Sequence, residues 1–107
     1  MSQPRKVFKG LITQSGTNAP TLVELENSIG DLTLGYTSPG IYTITKTDAW
    51  TQNKTFARIA PVAEKSVGIV RTSANALTVN TADLTAGAWV AGNGVLTATP
   101  IEITVYE

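Results

Sequence analysis

The chain has 107 residues, a length typical of a single domain, and it contains 42% hydrophobic but only 15% charged residues. Its eight basic and eight acidic residues cancel, so it lacks the basic excess that is usual in nucleic-acid-binding domains. Cysteine and histidine are absent, which removes the usual residues of zinc sites, disulfides and histidine-based catalysis. No apolar stretch has the length of a membrane span or the pattern of a signal peptide. We therefore predict a soluble protein with no metal, no cofactor, no nucleic-acid partner and no membrane partner.

Short segments in which apolar and polar residues alternate follow one another along the chain, and threonine is frequent in them. An alternation with a period of two is typical of half-buried strands, and no segment keeps a helical period over three turns. The pattern predicts an all-β protein, a small antiparallel β-sandwich or barrel of about eight short strands with hairpin turns. The clearest candidate strands are 7–14, 21–26, 32–37, 41–46, 55–60, 67–72, 77–81 and 101–106.

Two turn signals stand out between these segments. Pro39-Gly40 after Ser38 predicts a type II turn, because proline fixes φ at the second turn position and glycine accepts a positive φ at the third. Asn93-Gly94 after Gly92 predicts a type I′ hairpin between 89–91 and 95–97, and residues 83–87 are predicted to form a connection. Residues 1–107 are predicted to be one β domain, with residues 1–6 as a flexible N-terminal arm.

The segment 101–106 reaches almost to the last residue of the sequence, which raises the question of what pairs with it. An unpaired strand edge tends to recruit another strand. A central position in the sheet, closure into a barrel or a neighbouring subunit would each satisfy the edge. The third solution makes oligomerisation plausible.

Few residues suggest catalysis. Glu24 and Glu26 are two apart, a spacing that places both carboxylates on one strand face, and paired carboxylates can hydrolyse glycosides. Nothing in the sequence places either of them in an apolar cleft, so we favour the interpretation that both glutamates lie on a solvated strand edge. A small hydrolase is the least favoured of the functions considered. Serine and threonine lack a recognisable base. We predict no catalytic residues and no enzyme activity.

The two tryptophans are the candidate contacts with a ligand or another subunit. Trp89 is in an alternating apolar run, which favours a position in the core or at a subunit interface. Trp50 is in a polar stretch, so we expect it to be exposed and to be the better candidate, since exposed aromatic residues often mark binding surfaces.

The N-terminal half resembles a known group of proteins. The run Lys6–Pro20, the segment Leu25–Gly30 and the later Gly40–Ile44 are similar in style to small, β-rich, Thr/Gly-rich bacteriophage virion proteins. These include the head-fibre and tail-fibre proteins of phages that infect Bacteroidetes, such as the crAss-like group. The resemblance covers about residues 6–50 and rests on strand and turn residues, so it transfers no functional residue.

The resemblance implies a non-enzymatic head-fibre or capsid-decoration protein, made in the bacterial host cytoplasm and located in the virion. It implies self-assembly, as a trimer, and contacts with other virion proteins and with a host surface glycan. The low charge suits extensive subunit contact. The alternative is a monomeric β-sandwich that binds carbohydrate or protein through an exposed aromatic platform.

Overall fold

The computed structural model describes residues 5–85 and 87–106 of the chain. It confirms the all-β prediction: the described residues form two packed antiparallel sheets and no helix. The sheets do not close into a barrel, so the fold is an open sandwich. Nine strands lie in the described part of the chain: β1 (Arg5–Thr13), β2 (Thr21–Asn27), β3 (Thr33–Ser38), β4 (Ile41–Thr45), β5 (Thr55–Ile59), β6 (Lys65–Ser73), β7 (Ala76–Thr85), β8 (Ala88–Ala91) and β9 (Thr99–Tyr106).

The strands divide into sheet A, in the order β2-β1-β9-β5, and sheet B, in the order β3-β4-β7-β6 with β8 also paired to β7. Strand β7 is long, and along one of its edges β4 pairs with residues 76–80 while β8 pairs with residues 82–85. The second half of β7 and β8 thus form a hairpin whose β8 residues are all exposed.

A single apolar core fills the space between the sheets. Both sheets supply it with alternate residues of their strands, as the period-two pattern requires. Its buried members are Phe8, Ile12, Ile29, Tyr42, Ile44, Trp50, Leu77, Val79, Leu96, Ile101, Ile103 and Val105.

The last strand is central rather than at an edge. Strand β9 lies between β1 and β5, with Phe8 opposite Ile103 on one side and Ala57 opposite the same residue on the other. Of the three solutions that the sequence left open for this strand, the fold uses the central position, so β9 itself needs no neighbouring subunit.

The sequence-based hairpin at Gly92-Asn93-Gly94 is wrong. Residues 95–97 form no strand, and a type I′ turn needs positive φ at both central residues, whereas Gly94 has φ +75° and Asn93 has no positive φ. Instead the segment crosses the end of the sandwich and buries Val95 and Leu96. The predicted connection at 83–87 is also wrong in its first part, because Asp83–Thr85 belongs to β7; Ala86 lies outside the described residues.

The N-terminal arm is only partly described. Residues 1–4 of the predicted arm 1–6 lie outside the described residues, whereas Arg5 and Lys6 belong to β1 and are opposite Tyr106 and Val105. Strand β1 therefore starts two residues earlier than the alternation predicted.

Gly40, the residue before β4, lies where the partner of β7 changes from β4 to β8. It has φ +73°, as predicted for the turn, and its carbonyl accepts a 2.8 Å hydrogen bond from the backbone N–H of Thr81. The Thr81 carbonyl accepts from the Gly92 N–H at 3.2 Å, and the Thr81 hydroxyl donates to the Gly92 carbonyl at 2.7 Å. A Cβ at Gly40 would overlap the Thr81 carbonyl oxygen, so only glycine fits here.

We expect Gly40→Ala to destabilise the fold much more than Gly94→Ala. Gly94 has nearly the same φ, +75°, but an added Cβ would meet nothing within 4 Å, so its substitution isolates the backbone strain of about 1 kcal/mol. Gly40→Ala adds a clash with the backbone of β7, and we expect a loss above about 3 kcal/mol. Urea unfolding of both variants measures the difference, and equal losses would contradict this account of the Thr81 contact.

Candidate functional site

The paired carboxylates do not share a face. A register shift between Lys9 and Gly10 places Glu24 opposite Gly10 and Glu26 opposite Lys9. Successive residues of β1 face opposite sides of the sheet, so the two glutamates do as well, and the expected pairing on one face is wrong. Glu24 accepts a 2.8 Å hydrogen bond from the Asn27 amide, and Glu26 is paired with Lys9 at 3.9 Å. Within residues 5–85 and 87–106, no three acidic side chains cluster as a metal ion would require.

Trp50 lies in the core, which corrects the expectation that it is exposed. It is 0% exposed, on the loop between β4 and β5. Its backbone N–H donates to the Ala74 carbonyl at 2.9 Å, and its carbonyl accepts from Arg71 Nε at 2.7 Å. Its indole N–H has no hydrogen-bond partner among the described residues, a cost of about 1–3 kcal/mol that burial of the large ring offsets. Trp50 closes one end of the sandwich and cannot contact a ligand at the surface.

Trp89 lies on the surface, at 57% exposure, so it does not fill the core of the chain. It belongs to β8 and is next to Val90, which is 50% exposed. The hairpin of β7 and β8 therefore presents an aromatic ring and an aliphatic side chain to solvent. Of the two candidate contact residues, only Trp89 has the accessibility that a contact needs.

A buried polar network at the opposite end from Trp50 was missed at the sequence level. The hydroxyl of Tyr42 lies 2.8 Å from both Gln14 Oε1 and Asn93 Oδ1, and its single proton serves one of them at a time. Each of these oxygens also accepts a backbone N–H, from Gly94 at 2.8 Å and from Gly40 at 3.0 Å. Both oxygens therefore keep a donor whichever way the hydroxyl points. The network joins the end of β1, the start of β4 and the segment after β8, and it is structural in character.

Burial raises the pKa of the Tyr42 hydroxyl above the usual tyrosine value of about 10. Hydrogen bonding involving Thr81 and Gly40 opposes this shift without cancelling it. The hydroxyl is therefore held in its neutral form at physiological pH, as a group that donates a hydrogen bond must be.

The outer face of sheet A carries a line of alternating charges that crosses all four strands. Cross-strand partners place Glu26, Lys9, Glu102 and Arg58 in this order from β2 to β5. Lys9 lies 3.9 Å from Glu26 and 3.5 Å from Glu102, and Arg58 Nε lies 2.8 Å from Glu102. We call these four residues the charged row. Its end residues are largely exposed, so the ion pairs add little to stability but leave a fixed pattern of charge on the surface.

Apolar residues flank the charged row on both sides. On one side Val23, Leu11 and Pro100 are cross-strand neighbours, and Leu25 and Leu11 line an open groove of about 590 Å³. On the other side Val7 and Phe56 are both opposite Thr104 of β9; Val7 and Thr104 are buried, and Phe56 is 55% exposed. We call these the Val23 row and the Phe56 row. This surface could not be predicted from the sequence, because the three rows combine residues of four separate strands.

We expect the two tryptophans to differ in their access to a solution quencher. In Trp50→Phe the remaining emission comes from exposed Trp89, and acrylamide should quench it readily. In Trp89→Phe it comes from buried Trp50, and we expect a quenching constant several-fold lower and emission at shorter wavelength. The reverse order would contradict the placement of both residues.

We expect Tyr42→Phe to lower the free energy of unfolding by about 1 kcal/mol, since it removes the hydroxyl shared by Gln14 and Asn93. The folded state holds the Tyr42 proton more tightly than the unfolded state does, so the stability from this group is complete below about pH 10 and falls as the pH rises further. The difference between wild type and variant should therefore be constant up to about pH 10 and shrink as the pH rises further. Urea unfolding at several pH values checks this, and a gap that widens with pH would contradict it.

Comparison with known proteins leaves the family of this chain open. No protein-family model, no curated protein and no solved structure matches it. Across the described residues, no helix has the length and hydropathy to cross a membrane. Inferences about function therefore rest on the surfaces of the sandwich.

Proposed function

We propose that the protein is a non-enzymatic structural subunit of a bacteriophage particle, of the head-fibre or capsid-decoration type. It is made in the host cytoplasm, assembles with copies of itself and binds other proteins of the virion. The resemblance of residues 6–50 to phage virion proteins supports this proposal. The large apolar residues that sheet A exposes at its outer face support it as well.

The observation that carries the proposal is the outer face of sheet A. Val23, Leu25 and Phe56 are each more than half exposed there, on the two edge strands. Isolated apolar residues are common on surfaces, but a contiguous apolar patch with a polar border marks an interaction site. Here two apolar rows flank a charged row, so the face combines exposed apolar area with a fixed pattern of charge that can select a partner.

Self-assembly through this face should weaken when its apolar residues become polar. We expect the double variant Val23→Thr/Leu25→Thr to raise the dissociation constant about tenfold or more, because each side chain loses apolar area that association buries. Threonine keeps the strand propensity, so the fold should persist. The measurement is molar mass by light scattering over a range of protein concentrations.

The matched control is Val70→Thr, which changes a valine of similar exposure, 54% against 58%, on β6 of sheet B. We expect its assembly to match the wild type, and an effect equal to that of the double variant would contradict the assigned face.

The virion assignment is tested separately, by mass spectrometry of purified phage particles from a host that produces the protein. Absence of the chain from the particles would contradict the virion assignment.

A second candidate function rests on Trp89. An exposed aromatic ring on a projecting hairpin can stack on a sugar ring, as in a carbohydrate-binding module that recognises a host surface glycan. In that case Trp89→Ala abolishes binding on a glycan array and leaves the solution mass unchanged. The platform cannot involve Trp50, which is buried.

A further inference from the structure

We propose that two copies of the chain pair face to face through the outer faces of sheet A, about a two-fold axis that runs parallel to the strands. The inference deepens the proposed function and rests on it in one respect, namely that the protein assembles with copies of itself. It adds the surface, the symmetry and the residues that select the partner.

The order of charges in the charged row is the first argument. From β2 to β5 the signs are negative, positive, negative and positive, at Glu26, Lys9, Glu102 and Arg58. A two-fold axis parallel to the strands reverses this order in the second copy. Glu26 of one copy then faces Arg58 of the other, and Lys9 faces Glu102, so all four contacts join opposite charges. A row with an even number of charges that strictly alternate in sign is complementary to the same row in reverse order.

The charges also exclude the other face-to-face arrangement. A two-fold axis that runs along the row, perpendicular to the strands, would place each residue opposite its own copy. Glu26 would face Glu26 and Lys9 would face Lys9, and such like-charge contacts cost several kcal/mol in an interface. The charged row therefore selects one orientation of the partner, which is the usual role of charges in an interface.

The flanking rows agree with this orientation. An axis parallel to the strands leaves positions along the strand direction unchanged, so each row meets its own copy in reverse order. The Val23 row then packs on the Val23 row, with Leu11 facing Pro100. In the Phe56 row the exposed side chain of Phe56 supplies the apolar area, since Val7 is already buried in its own chain. Apolar area is buried on both sides of the charges. Because every carboxylate of the row has an ion-pair partner in its own chain, the cost of desolvating it is reduced.

The area of the outer face of sheet A sets the expected strength of the association. Four strands about 4.8 Å apart, with the eight residues of β9 rising about 3.3 Å each, give a face of about 19 by 26 Å. A standard interface buries about 800 Å² on each partner. The face of sheet A is somewhat smaller than this, which fits a reversible pair that forms with rising concentration.

The decisive experiment exchanges the central charges. Lys9→Glu alone and Glu102→Lys alone each create two like-charge contacts in the pair, so we expect each variant to dissociate at least tenfold more readily than the wild type. When the two variants are mixed, Lys9→Glu on one copy faces Glu102→Lys on the other and all contacts are complementary again. Sedimentation velocity or light scattering should show a mixed pair with twice the 11.3 kDa chain mass.

A double variant guards against loss of folding. Lys9→Glu/Glu102→Lys keeps the central ion pair within the chain and remains complementary to its own copy, so it should pair with itself. The like charges that it places beside Glu26 and Arg58 within the chain cost little, because those two side chains are largely exposed. The double variant should not pair with the wild type, because two of the four contacts would then join like charges. Subunit exchange between fluorescently labelled proteins measures this preference. Lys65→Glu is the control, since it breaks the cross-strand ion pair with Asp83 on sheet B and should not affect pairing.

The outcomes separate this inference from the proposed function. Restored pairing in the mixture, together with the self-preference of the double variant, supports the two-fold pair. A wild type that forms a trimer, or a pair that is insensitive to these changes, overturns the inference and leaves the proposed structural function standing. A wild type that stays monomeric at every concentration overturns both the inference and the self-assembly on which it rests.

Discussion

The hydrogen-bond network of Gln14, Tyr42 and Asn93 ties the two sheets together at one end of the sandwich. Gln14 follows β1 of sheet A, Tyr42 belongs to β4 of sheet B, and Asn93 follows β8. A buried polar group must be hydrogen-bonded, so these segments can meet in few other ways. The network holds residues 92–98 across the end of the sandwich, from which β9 enters sheet A beside β1. Beyond this point β1 and β9 pair without a register shift from Ile12 opposite Thr99 to Arg5 opposite Tyr106, and this ladder places Lys9 beside Glu102 in the charged row.

Local chemistry made part of this fold predictable. The strands follow from the alternation of apolar and polar residues. The Pro39-Gly40 turn follows from the φ angles that proline and glycine accept. The predicted hairpin turn at Asn93 does not form. The Asn93 side chain instead hydrogen-bonds to Gly40, Tyr42 and Tyr36, which are distant in sequence, and these tertiary hydrogen bonds outweigh the local turn preference. Trp50 was misplaced because a polar stretch surrounds it in the sequence, although the ring itself fills the end of the core.

The candidate surface could not be predicted in the same way. Its charged row joins residues 9, 26, 58 and 102, and only the pairing of four strands brings them into line. The extra residue in β2 matters equally, because without it Glu24 and Glu26 would lie on the same face. One inserted residue therefore decides which of two glutamates belongs to the charged row. A sequence pattern with a strict period of two does not contain that information.

The central position of β9 also governs the order in which the protein can fold during synthesis. All strands of sheet B lie within residues 33–91, so that sheet can form without β9. Sheet A cannot, because β1 and β5 do not pair with each other and wait for residues 99–106 to join them. Until then each presents an open edge beside apolar side chains, the state in which nascent chains aggregate or recruit chaperones. Closure of sheet A pairs Arg5 with Tyr106, and pairing across so large a sequence separation has a high loop-closure entropy to overcome.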